Sequence, residues 1–117
     1  ITLAEQFWAY QPTMFETLKG NEAQFQQAAS LPPAQRFTAI AKAGGMDTFF
    51  ASRGIAQQQG QVCTADVNKA TALANATNKA STEMGITGTP TFFVNGAKID
   101  GNTWPVVKTA LQNAGAR

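Results

Sequence analysis

Apolar residues recur every three or four positions along the first 84 residues, and after Gly85 that period gives way to short apolar runs. That switch separates a helical region, 1–85, from a short ββα tail, 86–117. Leu3, Phe7, Tyr10, Met14, Phe15 and Leu18 mark an opening amphipathic helix. Within it, "TLAE" places Thr2 at an N-cap with Glu5 three residues on, the spacing of a capping box. Pro12 is expected to kink that helix or divide it in two. "SLPPAQRFTAIAKAGG" opens on a proline pair and closes on Gly44-Gly45, the usual asymmetry of helix start and stop, with Phe37, Ile40 and Ala41 on its buried face. "MDTFFASRG" allows a short helix capped by Asp47, and "AQQQGQ" reads as a polar connection. From Thr64 to Met84 the pattern predicts one long helix whose Val67, Ala70, Leu73, Ala74, Thr77, Ala80 and Met84 share a stripe, terminated by Gly85 at C′.

In the tail, "TFFV" and "AKID" flank Asn95-Gly96, the pair best suited to the positive φ angles of a type I′ hairpin turn. Thr103 can cap a last helix, Trp104 to Ala114, with Trp104, Val107 and Leu111 on one face and Pro105 in the first turn. Phe92, Phe93 and Val94 are apolar in succession, so both faces of this strand call for cover. A hairpin supplies one neighbour only. A further strand, from upstream sequence or from a second chain, is therefore expected beside "TFFV". The open edge predicts self-association of these 117 residues alone.

Composition removes most chemistries. The chain contains no histidine, which excludes Ser-His and Cys-His nucleophile pairs and the commonest metal ligand. Its single cysteine, Cys63, allows neither an intrachain disulfide nor a thiolate zinc site. The seven acidic residues are dispersed, without calcium-loop spacing or an evident acid/base pair. No metal and no cofactor is expected. The net charge of +2 arises from basic residues scattered singly, so no stripe tracks a phosphate backbone and nucleic acid is not an expected partner. No apolar run approaches the roughly 20 residues of a membrane span. The chain opens at "ITLAEQ" without an initiator methionine, and upstream sequence is expected.

Cys63 invites a reading as a nucleophile, because it falls near the start of the long predicted helix, where the dipole activates thiols. The absence of a resolving cysteine and the burial typical of free cysteines favour a structural or incidental thiol, slow to alkylate in the folded state. Phe7, Trp8, Tyr10 and Phe15, and likewise Met46, Phe49 and Phe50, are expected in the core rather than in a ligand box.

"MGITGTPTFFVNGAKIDG", with a long helix before it and a capped one after it, resembles the C-terminal half of a DsbA-like thiol:disulfide oxidoreductase of the thioredoxin superfamily. "QFWAYQPTMFETL", "PPAQRFTAIAKAGGMDTFFASRG" and "CTADVNKATALANATNKASTEMG" resemble, in order, the helices that this family inserts into its fold. The resemblance implies an α/β, thioredoxin-like fold, incomplete here, consisting of the helical insertion and the C-terminal hairpin and helix. It makes Pro90 the family's cis-proline and Thr89 the residue whose backbone pairs with a bound substrate strand, a form of β-augmentation. It also implies partners that are protein or peptide thiols and disulfides, and a periplasmic setting. The family's Cys-x-x-Cys is missing, so no catalytic residue is assigned within the chain; the redox pair and the missing strand are expected together in an upstream segment. Two alternatives stand beside this one. The first is a cysteine-free peptide-binding or chaperone module, and the second a relative of the kappa-type glutathione transferases.

Overall fold

Seven helices and one hairpin follow one another in the computed structural model, which describes residues 1–117. The helices are α1 (Thr2–Gly20), α2 (Glu22–Ala29), α3 (Pro33–Ala43), α4 (Met46–Ala51), α5 (Gln57–Ala65), α6 (Val67–Glu83) and α7 (Trp104–Asn113). Strands β1 (Phe93–Val94) and β2 (Ala97–Lys98) lie between α6 and α7. Residues divide into two compact units: Ile1–Ala9 with Ala76–Arg117, here the hairpin unit, and Tyr10–Asn75, the helical unit. The change of hydrophobic period at residue 85 is thus not where the compact units divide. The reason lies in the start of α1, whose Trp8 packs on Phe92 and Trp104 of the tail.

In the hairpin unit, β1 and β2 are antiparallel, with Phe93 opposite Lys98 and Val94 opposite Ala97. Asn95 and Gly96 take φ values of 50° and 82°, the left-handed pair that a type I′ turn needs. The Ile99 N–H donates to the Phe92 carbonyl at 2.9 Å and carries the pairing one step further. On α7, Val107 is buried, with Trp104 and Leu111 half-buried on the same face. Gly85 ends α6 with φ 61°, as a C′ glycine does.

The helical unit packs α3 against α2, α4 and α5. Its buried side chains are Ala28, Ala43 and Phe49. Tyr10 stacks on Phe49 at 4.2 Å between centroids, and its hydroxyl donates to the Gly44 carbonyl at 2.6 Å. A Cβ on Gly44 would stand 3.3 Å from carbons of Met14 and Leu18, so the glycine lets α1 approach closely.

Several local expectations are corrected. Pro12 does not divide α1, which runs unbroken from Thr2 to Gly20. An interior proline costs about 3 kcal/mol, and here Trp8 and Tyr10, on the turn before it, are both held in ring contacts. Gly45, with φ 73°, precedes α4 as its N-cap, while Asp47 lies inside the first turn and accepts the Thr48 N–H at 2.8 Å. "AQQQGQ" is not a connection but the start of α5, where the Gln59 side-chain oxygen accepts the Ala56 N–H at 2.9 Å. The long helix breaks at Asp66, which is extended (φ −76°, ψ 91°) and accepts the Lys69 N–H at 2.9 Å, an N-cap for α6.

Cys63 consequently sits in the last turn of α5, not at the head of a long helix, and it is exposed. The apolar stripe of α6 is not buried either: Leu73 is 62% exposed, and Val67 and Met84 are exposed too. Alanines make up much of that stripe and bring little apolar area to bury. Phe15, at 61% exposed, and Phe37 also lie outside the core expected of them. No helix is long and apolar enough to cross a membrane.

Candidate functional site

Between the end of α6 and the start of β1 the chain runs without regular structure, and here it presents Thr89 and Pro90 to solvent. The bond between them is cis. The Thr91 hydroxyl donates back to the Gly88 carbonyl and closes the bend around them. Two residues on, the chain enters β1, which pairs with β2 along one edge and with no strand of this chain along the other. Thr91 to Val94 are half-buried, so the segment passes from an exposed corner into a packed strand.

The packing beneath that strand is aromatic. Trp8 lies 5.5 Å from Phe92 and 5.4 Å from Trp104, both tilted, in the range where such pairs attract. The Trp104 indole N–H donates to Glu5 Oε1 at 3.0 Å, so the one polar atom of that ring is satisfied. Lys108 Nζ donates to Glu5 Oε1 at 3.0 Å and to Oε2 at 3.1 Å. Glu5 therefore ties α1 to α7 and does not cap its own helix. The Trp104 hydrogen bond, followed by that of Lys108, holds the Glu5 carboxyl below its ordinary value, and desolvation opposes them in part.

The sign of the pH dependence follows. A depressed folded-state value adds stability above the unfolded-state value of about 4.5, and that stability is lost as pH falls through the lower folded value. Tryptophan emission should therefore change on acidification below about 4.5, and the change should vanish in Glu5→Gln. A pH-independent emission down to acid unfolding would refute the coupling.

The only thiol belongs to the helical unit. Cys63 borders an apolar cleft of about 530 Å3 lined by Phe37, Ile40, Met46, Phe50 and Ile55, with the Thr38 and Thr64 hydroxyls hydrogen-bonded at 2.7 Å nearby. Its exposure reverses the expectation of a shielded group. Iodoacetamide at neutral pH should label it in the native protein at a rate within a few-fold of that in urea, whereas protection of a hundred-fold or more would restore the buried reading. No group of three or more His, Cys, Asp or Glu residues is placed to hold a metal ion.

Comparison with known families decides what this arrangement is part of. A family model described as thioredoxin matches residues 1–113. The chain belongs to the thioredoxin family. No curated protein and no solved structure matches it. This thioredoxin-family domain is mostly helical, with a small two-stranded sheet, and membership is compatible with a thiol–disulfide role and with protein substrates.

Of the residues singled out from sequence, Thr89 and Pro90 stand together at the exposed entry to β1. Four others, Glu5, Trp8, Trp104 and Lys108, form the layer behind that strand; the sequence marks the first three only as cap, core and helix-face positions, and does not single out Lys108. Glu5 and Lys108 are 103 residues apart, so no local period could pair them. One signal was available: a half-buried tryptophan needs an acceptor for its N–H.

Proposed function

We propose that this chain is the substrate-binding part of a DsbA-like thiol:disulfide oxidoreductase acting on protein thiols and disulfides in the periplasm. In this reading Thr89 and Pro90 receive the substrate. The backbone at Thr89 hydrogen-bonds an extended peptide, which lies along the corner leading into β1. The chemistry comes from a Cys-x-x-Cys pair outside these 117 residues. A thiolate of that pair attacks one sulfur of a disulfide and expels the other as thiolate. The second cysteine then resolves the mixed disulfide, so that two thiols are oxidised for each disulfide reduced.

The observation that carries the reading is the exposed Thr89–Pro90 corner at the entry to β1. Membership of the thioredoxin family supports it.

The binding half is tested on the chain itself. Titrating the 15N-labelled protein with an extended, cysteine-free octapeptide should move the amide signals of Gly88, Thr89, Thr91 and Phe92, which flank Pro90, and leave those of α2 and α3 in place. Shifts confined to the apolar cleft, or none, would overturn the assignment. The redox half needs the complete gene product in an insulin-reduction assay. A Cys-x-x-Cys with activity supports the oxidoreductase, whereas an upstream serine nucleophile would indicate the kappa-type transferase and no nucleophile the chaperone module. Light scattering on the 117-residue chain reports whether the free β1 edge also pairs chain to chain.

A further inference from the structure

The hydrogen bonds and ring contacts behind β1 form one continuous series within the hairpin unit. The Glu5 carboxylate accepts the Trp104 indole N–H at 3.0 Å, Trp104 packs on Trp8, and Trp8 packs on Phe92. Phe92 in turn accepts the Ile99 N–H and lies two residues after Pro90. Lys108 also fixes the carboxylate, with hydrogen bonds to both of its oxygens. Each member limits the freedom of the next: the indole N–H sets the tilt of Trp104, Trp104 sets where Trp8 can lie, and Trp8 sets the depth of Phe92.

We propose that Glu5 is a positioning residue for the Thr89–Pro90 corner, acting through Trp104, Trp8 and Phe92. This inference rests on the reading of that corner as a peptide-binding edge, and adds to it a residue on α1 that touches no substrate. A peptide pairing with the Thr89 backbone needs donor and acceptor placed to within a few tenths of an ångström, and a strand free to rock on a loose aromatic layer would not hold them there. The charge of Glu5 matters because a hydrogen bond to an ionised acceptor is stronger than one to a neutral acceptor. The charged groups that face it are Lys108 on α7 and the amino group of Ile1.

The test compares wild type with Glu5→Ala, Glu5→Gln and Trp104→Phe by 15N spectra and by the same octapeptide titration. Alanine removes the acceptor and phenylalanine removes the donor while keeping a ring on Trp8. Both should shift the amides of Gly88, Thr89, Thr91, Phe92 and Ile99 and weaken peptide binding about five-fold, a fraction of what a charge-assisted bond is worth because the effect is transmitted. Glutamine still accepts the indole N–H and should restore binding to within about two-fold of wild type at neutral pH. Wild-type affinity should fall only to the level of the Gln variant, by no more than about two-fold, as pH drops below about 4.5, the ordinary value for this carboxyl, because the protonated carboxyl still accepts the indole N–H; the Gln variant should not change over that range.

The proposal is overturned if Glu5→Ala displaces the Trp104 indole signal yet leaves residues 88 to 92 and the affinity unchanged, or if Glu5→Gln is as impaired as Glu5→Ala. Should wild type fail to bind the peptide, the binding-edge reading fails, while the amide shifts of Gly88, Thr89, Thr91 and Phe92 still decide whether Glu5 governs that corner. Should Glu5→Ala not fold, Trp104→Phe and Glu5→Gln carry the comparison.

Discussion

Phe49→Ala will destabilise the Tyr10–Asn75 unit by about 3 to 5 kcal/mol, the usual cost of deleting a buried aromatic ring. Phe49 is the one large side chain that is buried in this unit, only 7% exposed, beside Ala28 and Ala43. Its ring is used on several sides. Tyr10 stacks on it at 4.2 Å, Phe50 meets it edge-on at 5.0 Å, and the Arg53 guanidinium lies 3.7 Å from its centroid. Truncation would leave a cavity that the two small alanines cannot fill, and would strip Tyr10 and Arg53 of their partner at once. Since small domains are stable by only about 5 to 15 kcal/mol, the variant should melt at a markedly lower temperature by far-UV circular dichroism. Phe49→Leu, which keeps apolar volume but no ring, should fall between the two. A loss below about 1 kcal/mol for the alanine variant would mean that this ring is not the centre of the unit.

Gly45→Val should cost about 2 to 3 kcal/mol, from two separable causes. Gly45 takes φ 73° as the N-cap of α4. A residue with a Cβ is strained there by roughly 1 to 2 kcal/mol, and a β-branched one is among the worst suited. The new Cβ would also stand 3.1 Å from the Tyr10 hydroxyl, which donates to Gly44 at 2.6 Å. Disturbing that hydrogen bond adds about 1 kcal/mol. Gly45→Asn tolerates the left-handed backbone but still crowds the phenol, so it should lose about half as much. Equal losses in the two variants, measured by urea denaturation, would show that backbone strain contributes little.

Where local chemistry decides the structure, the sequence is readable. Asn95-Gly96 specifies its turn by φ alone, Pro33 and Gly44 bracket α3, and Pro105 stands in the first turn of α7. Asp66 shows the limit of periodicity. The apolar spacing runs straight through it, and what breaks the helix is the ability of an aspartate side chain to satisfy an N–H three residues on. "AQQQGQ" misleads in the opposite direction, because glycine lowers helix propensity without forbidding a helix held by its neighbours. Thr89 and Pro90 are legible through a short motif. The layer behind them is not, because a carboxylate at position 5 and an ammonium at position 108 meet only once the chain has folded.

The distribution of ring types between the compact units has a practical meaning. Both tryptophans, Trp8 and Trp104, fall in the hairpin unit, and the only tyrosine, Tyr10, opens the helical one. Near-ultraviolet spectroscopy therefore offers two optical channels on one unmodified chain. Indole signals follow one unit and the phenol signal follows the other. Denaturation curves that coincide in the two channels would identify a single cooperative transition, and curves that separate would give each unit its own midpoint without any label.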